Sequence, residues 1–354
     1  MLTDKEVQEL RKALANYKSP LFIHDDDPDG LCSFLLLYRI HREGRGVILK
    51  TSSSLGMDFY RLIKDYNFDS VFTLDIPVVD QEFIDHLKKP FFWVDHHEAQ
   101  IRTNVKYFNP HVRNPEVYEP TSLLTYQINN KKEDMWLAMV GCLGDYLIPV
   151  FKDQFIEMYP DLMNKDSTIG EALYKDEIGK LVKIFFFLLK GRSSEVRKCI
   201  KILTRLKSPY EILRQETPAG KYLYKRYEKI DGEYQKVLKE AKGKRTRSKL
   251  MLYEYDDKKI SFTAYLSNEI STLNPDKVLI IARKHQGKVK MSLRAKVPFV
   301  DALKNALHDV NGSGGGHPMA CGAVIDEKDW KTFLKQFKEE LKEVKIPVEL
   351  RVMK

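Results

Sequence analysis

Carboxylates and imidazoles recur at a few sharply defined places in the first 145 residues. Asp25, Asp27 and Asp29 alternate in the loop His24-Asp25-Asp26-Asp27-Pro28-Asp29-Gly30, Asp75 ends an apolar run, Asp95-His96-His97 ends another, and Asp145 follows Gly141-Cys142-Leu143-Gly144. Like charges at that density repel, and they stay ionised together only beside cations. Mixed oxygen and imidazole donors suit Mn(II) or Mg(II) better than a thiolate-bound metal. The expected arrangement is two ions roughly 3.5–4 Å apart, bridged by one carboxylate, a pair able to acidify a water and to stabilise charge developing on a phosphoryl group. An EF-hand calcium loop would also begin with alternating acids, but Gly30 is followed at once by Leu31-Cys32-Ser33-Phe34-Leu35, without the later acidic ligands such a loop needs.

These residues need elements that end together. Phe91-Phe92-Trp93-Val94, bounded by Pro90, reads as a buried strand delivering Asp95-His96-His97 at its carboxyl end, and Pro20-Leu21-Phe22-Ile23-His24 and Ser70-Val71-Phe72-Thr73-Leu74 run into acids in the same way. Val7, Leu10 and Leu14 are spaced for a short helix over Asp4 to Tyr17. Leu31 to His41, Asp58 to Tyr66 and the neighbourhood of Asp80 to Lys88 read as helices, and Val47-Ile48-Leu49 as a further strand. Alternating strands and helices predict βαβ units and a largely parallel sheet, in which ligands bind beyond the carboxyl ends of the strands. After the turn at Tyr107-Phe108-Asn109-Pro110, helices are expected at Thr121 to Asn129 and Asp134 to Val140, and the glycines before Asp145 permit the close approach that would bring this acid to the cluster.

Residues 151–245 read mostly as helix, including apolar Leu181 to Leu189 and a polar, Tyr- and Lys-rich stretch from Gly220 to Lys242. The basic segment Gly243 to Lys249 marks a boundary. Beyond it a small α+β domain is expected: strands at Leu250 to Tyr253, Ile260 to Phe262, Lys277 to Ala282 and Val289 to Arg294, the last two flanking a Gln286-Gly287 turn. Helices near Asn268 to Leu273, Phe299 to Leu307 and Lys328 to Glu343 complete it. The run Asn311-Gly312-Ser313-Gly314-Gly315-Gly316-His317-Pro318 reads as a loop whose uncovered amides could cradle an anion. The fold class is therefore α/β, a parallel-sheet catalytic domain over 1–205 with a helical insertion, a helical connector over 206–249, and a smaller α+β domain over 250–354.

Composition sets the outer limits. At 354 residues with 43% apolar and 11% aromatic side chains, the chain is globular and long enough for two cores. A net charge of +9 favours anionic partners such as nucleic acid. Cys32, Cys142, Cys199 and Cys321 form no C-x-x-C pair, which argues against a zinc site or a disulfide framework and for a reducing, cytoplasmic setting. The first residues lack the apolar core of a signal peptide, and Ile184 to Leu189 is too short to span a bilayer, so a soluble protein is expected.

Taken in order, Asp25-x-Asp27-x-Asp29-Gly30, Asp75, Asp95-His96-His97, Gly144-Asp145 and Gly314-Gly315-Gly316-His317 resemble the DHH phosphoesterase superfamily with its DHH-associated C-terminal domain, particularly the RecJ-like nucleases of archaeal type. The resemblance implies that Asp27, with Asp25, holds one Mn(II), that Asp29, His96 and Asp145 hold the second, and that Asp75 bridges them. Mg(II) is an alternative for both. Many relatives carry a histidine where this chain has Asp25, so whether His24 or Asp25 completes the first set stays open. His97 would face the scissile phosphate and Asp95 would orient the histidines. Arg294 and the Gly314, Gly315, Gly316, His317 segment would clamp a substrate phosphate or terminal nucleotide, with Asn268 a recurring polar position beside them.

The implied activity is a Mn(II)-dependent exonuclease trimming single-stranded DNA or RNA in replication or repair, able to dock on a helicase or replisome partner. Two alternatives share the fold: a phosphodiesterase for very short oligonucleotides or cyclic dinucleotides, and a scaffold of weak activity. No membrane association is implied, and the motifs do not bear on oligomeric state.

Overall fold

In the computed structural model, which describes residues 1–50, 54–255 and 260–347, the chain divides into two compact units, Met1–Tyr227 and Glu228–Lys354. The first opens with α1 (Asp4–Asn16), fixed by a capping box in which Thr3 Oγ1 accepts the Glu6 amide and Glu6 accepts the Thr3 amide. Then come β1 (Pro20–His24), α2 (Pro28–His41), β2 (Arg45–Ile48), β3 (Ser54–Leu55), α3 (Met57–Ile63), β4 (Ser70–Leu74), β5 (Val78–Val79), α4 (Gln81–Leu87), β6 (Phe91–Val94) and β7 (Lys106–Phe108). The expected alternation of strand and helix is present.

Five of these strands form one parallel sheet in the order β2-β1-β4-β6-β7, and β3 pairs with β5 in a separate two-stranded ladder. The chain leaves β1 toward β2 on one side and returns to β4 on the other, so the order reverses between β1 and β4. That reversal opens a crevice at the carboxyl ends of these two strands. Every residue of β1, β4 and β6 is buried, which explains their unbroken apolar character. One face of the sheet is packed by Leu55, Phe59, Ile63, Phe83 and Ile84 from the short connections. Trp93 is fully buried in the same cluster and donates its Nε1–H to Ile76 O at 3.0 Å, tying β6 to the exit of β4.

Helix α2 is apolar nearly all round, with Leu31 to Leu37 buried without a break, because it lies between the sheet and the helices α5 (Thr121–Asn129) and α6 (Met135–Gly144). Helices α7 (Lys152–Met158), α8 (Ile169–Tyr174), α9 (Glu177–Leu188), α10 (Ser193–Leu203) and α11 (Tyr210–Leu213) follow, and α12 (Pro218–Gly243) runs through the division between the units. The apolar run near Ile184 is the buried face of α9, and no helix among the described residues is long and apolar enough to cross a membrane. All four cysteines are buried and free.

The second unit contains β8 (Leu250–Tyr255), α13 (Thr263–Leu273), β9 (Val278–His285), β10 (Lys288–Arg294), α14 (Val300–Ala306), β11 (Gly312–His317), β12 (Ala320–Asp326) and α15 (Trp330–Glu340). Its mixed sheet has the order β11-β12-β10-β9-β8, with only β8 and β9 parallel. Gln286 and Gly287 both have positive φ, as the tight hairpin between β9 and β10 requires.

Two expectations fail here. Ile260-Ser261-Phe262 is not a strand: Phe262 is buried at the start of α13 and its amide donates to Tyr255 Oη at 3.0 Å, so its apolar side chain serves the core from a helix entry. The glycine run is not a loop but the edge strand β11, paired antiparallel with β12 over its whole length. Its unpaired edge still leaves backbone groups uncovered.

Candidate metal centre

Strand register sets the first three acids side by side. His24 pairs with Leu74 and Leu74 with Val94, so the next residues along, Asp25, Asp75 and Asp95, form a row across the carboxyl ends of β1, β4 and β6. Asp75 has left-handed backbone at φ +62°, a conformation that costs most residues and that marks a sharp turn out of β4. Its amide donates to Val94 O at 3.1 Å, and its Oδ1 accepts from Thr121 Oγ1 at 3.1 Å.

The other two acids of the first loop are placed by α2. Asp27 is its N-cap, with Oδ1 accepting the Gly30 amide at 2.9 Å, and Pro28 occupies the first helical position. A Cβ on residue 30 would lie 2.8 Å from the Asp25 amide nitrogen, so the loop closes this tightly only with glycine. Asp29, fully buried, accepts the amides of Thr121 and Ser122 at 2.7 and 2.9 Å, so the first turn of α5 holds its charge. Asp145 arrives as the C-cap of α6. A side chain at Gly144 would meet Pro28 Cβ at 2.9 Å, and its absence lets the end of α6 reach the start of α2.

His96 Nε2 lies 3.3 Å from Asp75 Oδ1 and 3.4 Å from Asp145 Oδ2. Its Nδ1 is buried without a hydrogen-bond partner among the described residues. The ring of His97 sits 4.4 Å from that of His96, and its Nδ1 is 2.8 Å from Asp95 Oδ1. Asp95 is itself fully buried and is reached by the His97 amide at 3.1 Å and by Tyr107 Oη and Asn109 Nδ2 at 3.4 Å each. Tyr118 packs edge-on against His96 and donates to Asp145 Oδ2 at 2.7 Å.

Among the described residues, three sets of donor atoms each lie within 4.8 Å internally: Asp25, Asp27 and Asp75; Asp29, His96 and Asp145; and Asp75, His96 and His97. Burial, followed by the neighbouring charge of Asp27, pushes the Asp25 carboxyl up to about 8. Burial likewise raises Asp27 and Asp29, helped by Asp29 and Asp145 respectively, and lifts Asp75 well above the usual carboxylate range beside Asp29 and Asp27. Burial also lowers His97, but the hydrogen bond to Asp95 and the charges of Asp95, Asp145 and Asp25 outweigh it and raise the imidazole to about 9. Such a cluster is unfavourable unless countercharge enters it. The donor set, oxygen-rich with imidazole and no thiolate, fits divalent cations of the Mn(II) or Mg(II) kind.

His24 and Asp25 face different surroundings. The His24 ring is fully buried and stacks on Phe34 at 5.2 Å, and burial lowers its pKa to about 4. It belongs to none of the three donor groups, whereas Asp25 does. Asp26 turns toward Lys190, 3.8 Å away.

In the second unit, Arg294 Nε donates to Asn268 Oδ1 at 2.6 Å, and Nη1 reaches the carbonyls of Leu293 and Cys321. Arg294 pairs with Ala320, which pairs with His317, so these residues line one end of the sheet. Gly314 and Gly315 continue along β11, and Gly316 has φ +134°, which favours glycine. Sequence reasoning missed Tyr118, Thr121, Ser122 and Asn109. Thr121-Ser122 at a helix start was the one available signal, since orphan amides there attract a carboxylate.

Residues 221–343 match the family model of the DHHA1 domain. No curated protein matches the chain in sequence. Among solved structures, the chain is similar to RecJ from Thermus thermophilus in complex with Mn2+, at a TM-score of 0.65 and 16% identity over 97% of this chain and 55% of that one. It therefore spans about half the length of that RecJ. It is also similar to an exonuclease RecJ bound to manganese (TM-score 0.61, 16% identity, 99% of this chain and 97% of that one). A DHH domain described as a member of the s1p family of ribosomal proteins matches at a TM-score of 0.66 and 15% identity, over 96% of this chain and 90% of that one. With residues 221–343 matching the DHHA1 domain model and this architecture over nearly its whole length, the chain shares the fold of those RecJ and DHH-domain structures.

Proposed function

We propose that the chain is a metal-dependent phosphodiesterase that trims single-stranded DNA or RNA from an end. The observation that carries this reading is the pair of separate three-donor groups, Asp25-Asp27-Asp75 and Asp29-His96-Asp145, meeting where Asp75 Oδ1 lies 3.3 Å from His96 Nε2. On this reading each group holds one divalent cation, with Asp75 placed to serve both. Ions bound there would supply a nucleophilic water at neutral pH and countercharge for the phosphoryl oxygens.

The chain's own residues do the rest. Asp95 fixes the His97 ring through Nδ1, and His97 in its charged form stabilises the phosphoryl group and gives its Nε2 proton to the leaving oxygen. The α5 amides on Asp29 and the Tyr118 hydroxyl on Asp145 keep two ligand carboxylates oriented. Arg294, steadied by Asn268, binds a substrate phosphate, and the uncovered edge of β11 takes the terminal nucleotide. The net charge of +9 favours a polyanionic substrate.

The test is hydrolysis of end-labelled single strands from two to about thirty nucleotides with Mn(II) or Mg(II), set against an Asp75→Ala, His96→Ala variant, a control that removes part of both donor groups. A ladder that shortens the long strands and disappears in the variant supports the proposal. Cleavage of only the shortest strands moves the substrate to short oligonucleotides or cyclic dinucleotides. Absence of metal-dependent hydrolysis at any length rejects the enzyme reading in favour of a scaffold.

A further inference from the structure

Helix α2 begins at the metal centre and ends at a surface cavity of about 520 Å³. Fourteen residues of helix at about 1.5 Å each separate the two by roughly 20 Å. The cavity is walled by the last turn of α2, by the turn preceding α6 and by the segment that follows α10.

Its floor is electrically closed. Arg39 pairs with Asp134, their side chains only 11% and 3% exposed, and Asp134 also accepts from Asn129 Nδ2 at 3.1 Å. Its rim is not. Arg42, Arg205 and Lys207 are exposed, and among the described residues none of their side chains has a hydrogen-bond or ion-pair partner. Lys131 adds a fourth cation, reaching Arg39 O at 3.1 Å, and Glu133 is the one unneutralised acid of the described lining. The carboxyl ends of α2 and α10 each contribute about half a negative charge, so the rim keeps a surplus of about two positive charges. Concavity focuses that potential.

Arg42 makes the arrangement pointed. It caps α2 in left-handed conformation at φ +59°, a place that favours glycine or asparagine, yet here it carries a guanidinium to the cavity mouth. Guanidinium groups take two phosphate oxygens at once, Tyr38 supplies an aromatic wall, and the volume falls within the roughly 300–1,000 Å³ range of small-molecule sites.

We propose that this cavity binds a phosphate-bearing ligand of nucleotide size, separately from the metal centre. The phosphates can belong to a free nucleotide or to one unit of a strand. The experiment titrates the full-length chain, held in EDTA so that no cation bridges phosphate to the metal centre, with tripolyphosphate, ATP and a ten-nucleotide single strand by calorimetry. Saturable 1:1 binding is expected, weakened by roughly 10-fold or more in an Arg42→Gln, Arg205→Gln variant, since charge-assisted contacts to phosphate are the strong ones. Because Arg42 caps a helix, an Arg205→Gln, Lys207→Gln variant repeats the test without touching α2. Tighter binding of ATP supports a free nucleotide, and tighter binding of the strand that falls in the same variants supports a nucleic-acid source. No saturable binding of any of the three, or binding that both variants leave unchanged, overturns the proposal.

Discussion

Asp75 and His96 face one another across the seam between β4 and β6, with 3.3 Å between Oδ1 and Nε2. Asp75 is 2% exposed, and with Asp29 and Asp27 close by its ionised form is costly in the metal-free protein. Asp75→Asn should therefore raise metal-free stability by about 1–2 kcal/mol, because it removes a buried charge and because asparagine tolerates the left-handed backbone. The same change should reduce the stabilisation that Mn(II) gives the native chain without abolishing it, because Asp29, His96 and Asp145 remain. Urea unfolding in EDTA and in Mn(II) measures both, and a variant less stable in EDTA would contradict the account of the cluster.

His97 is held by Asp95, which on the proposed function would separate proton delivery from metal binding. His97→Ala should lower kcat by about 10²–10⁴-fold while the bound metal per chain stays the same. Asp95→Asn should lose less, on the order of 10-fold to 100-fold, as expected for a group acting through the ring it orients. Loss of metal in His97→Ala would instead make His97 a ligand alongside Asp75 and His96, with which its ring is grouped.

Tyr118 touches the cluster from outside, its hydroxyl on Asp145 and its ring edge on His96. Removing only the hydroxyl in Tyr118→Phe should weaken Mn(II) binding about 10-fold to 100-fold and leave kcat at saturating metal nearly unchanged. Calorimetric titration of Mn(II) reads the first effect and saturation kinetics the second. Unchanged affinity would reduce Tyr118 to a packing role.

Arg294 should act on substrate binding alone. Arg294→Gln is expected to raise KM for an oligonucleotide by about 10-fold or more, and Arg294→Lys to restore little of it, because lysine lacks the planar fork. Asn268→Ala, which frees the Arg294 Nε contact, should give a smaller rise in the same direction. A fall in kcat with KM unchanged would place Arg294 outside substrate binding.

The candidate metal-centre residues were legible because buried parallel strands are written as apolar runs, so the charge that ends them stands out. Leu74-Asp75 and Val94-Asp95 are such breaks, and register alone then aligns the acids. Asp27-Pro28 was equally readable as a helix start. What escaped was set by contacts distant in sequence. Thr121 and Ser122 meet Asp29 some ninety residues away, and their place at a helix start points to a carboxylate without saying which one. The β11 run failed for the opposite reason: glycine has poor strand propensity and no side chain to show alternation, and only pairing with β12 makes it a strand. Phe262 illustrates a third case, since a short segment with two apolar residues reads the same whether it enters the core from a strand or from a helix start.

The central claim is that this chain holds two cations close enough to act on one phosphate. Electron paramagnetic resonance of the Mn(II)-loaded protein, with the metal counted by mass spectrometry, tests it directly. Two Mn(II) per chain giving an exchange-coupled signal, as expected for ions roughly 3.5–4 Å apart, is the predicted result. In Asp75→Asn that coupling should collapse. One Mn(II) per chain, or two that give only the spectrum of isolated ions, would contradict it.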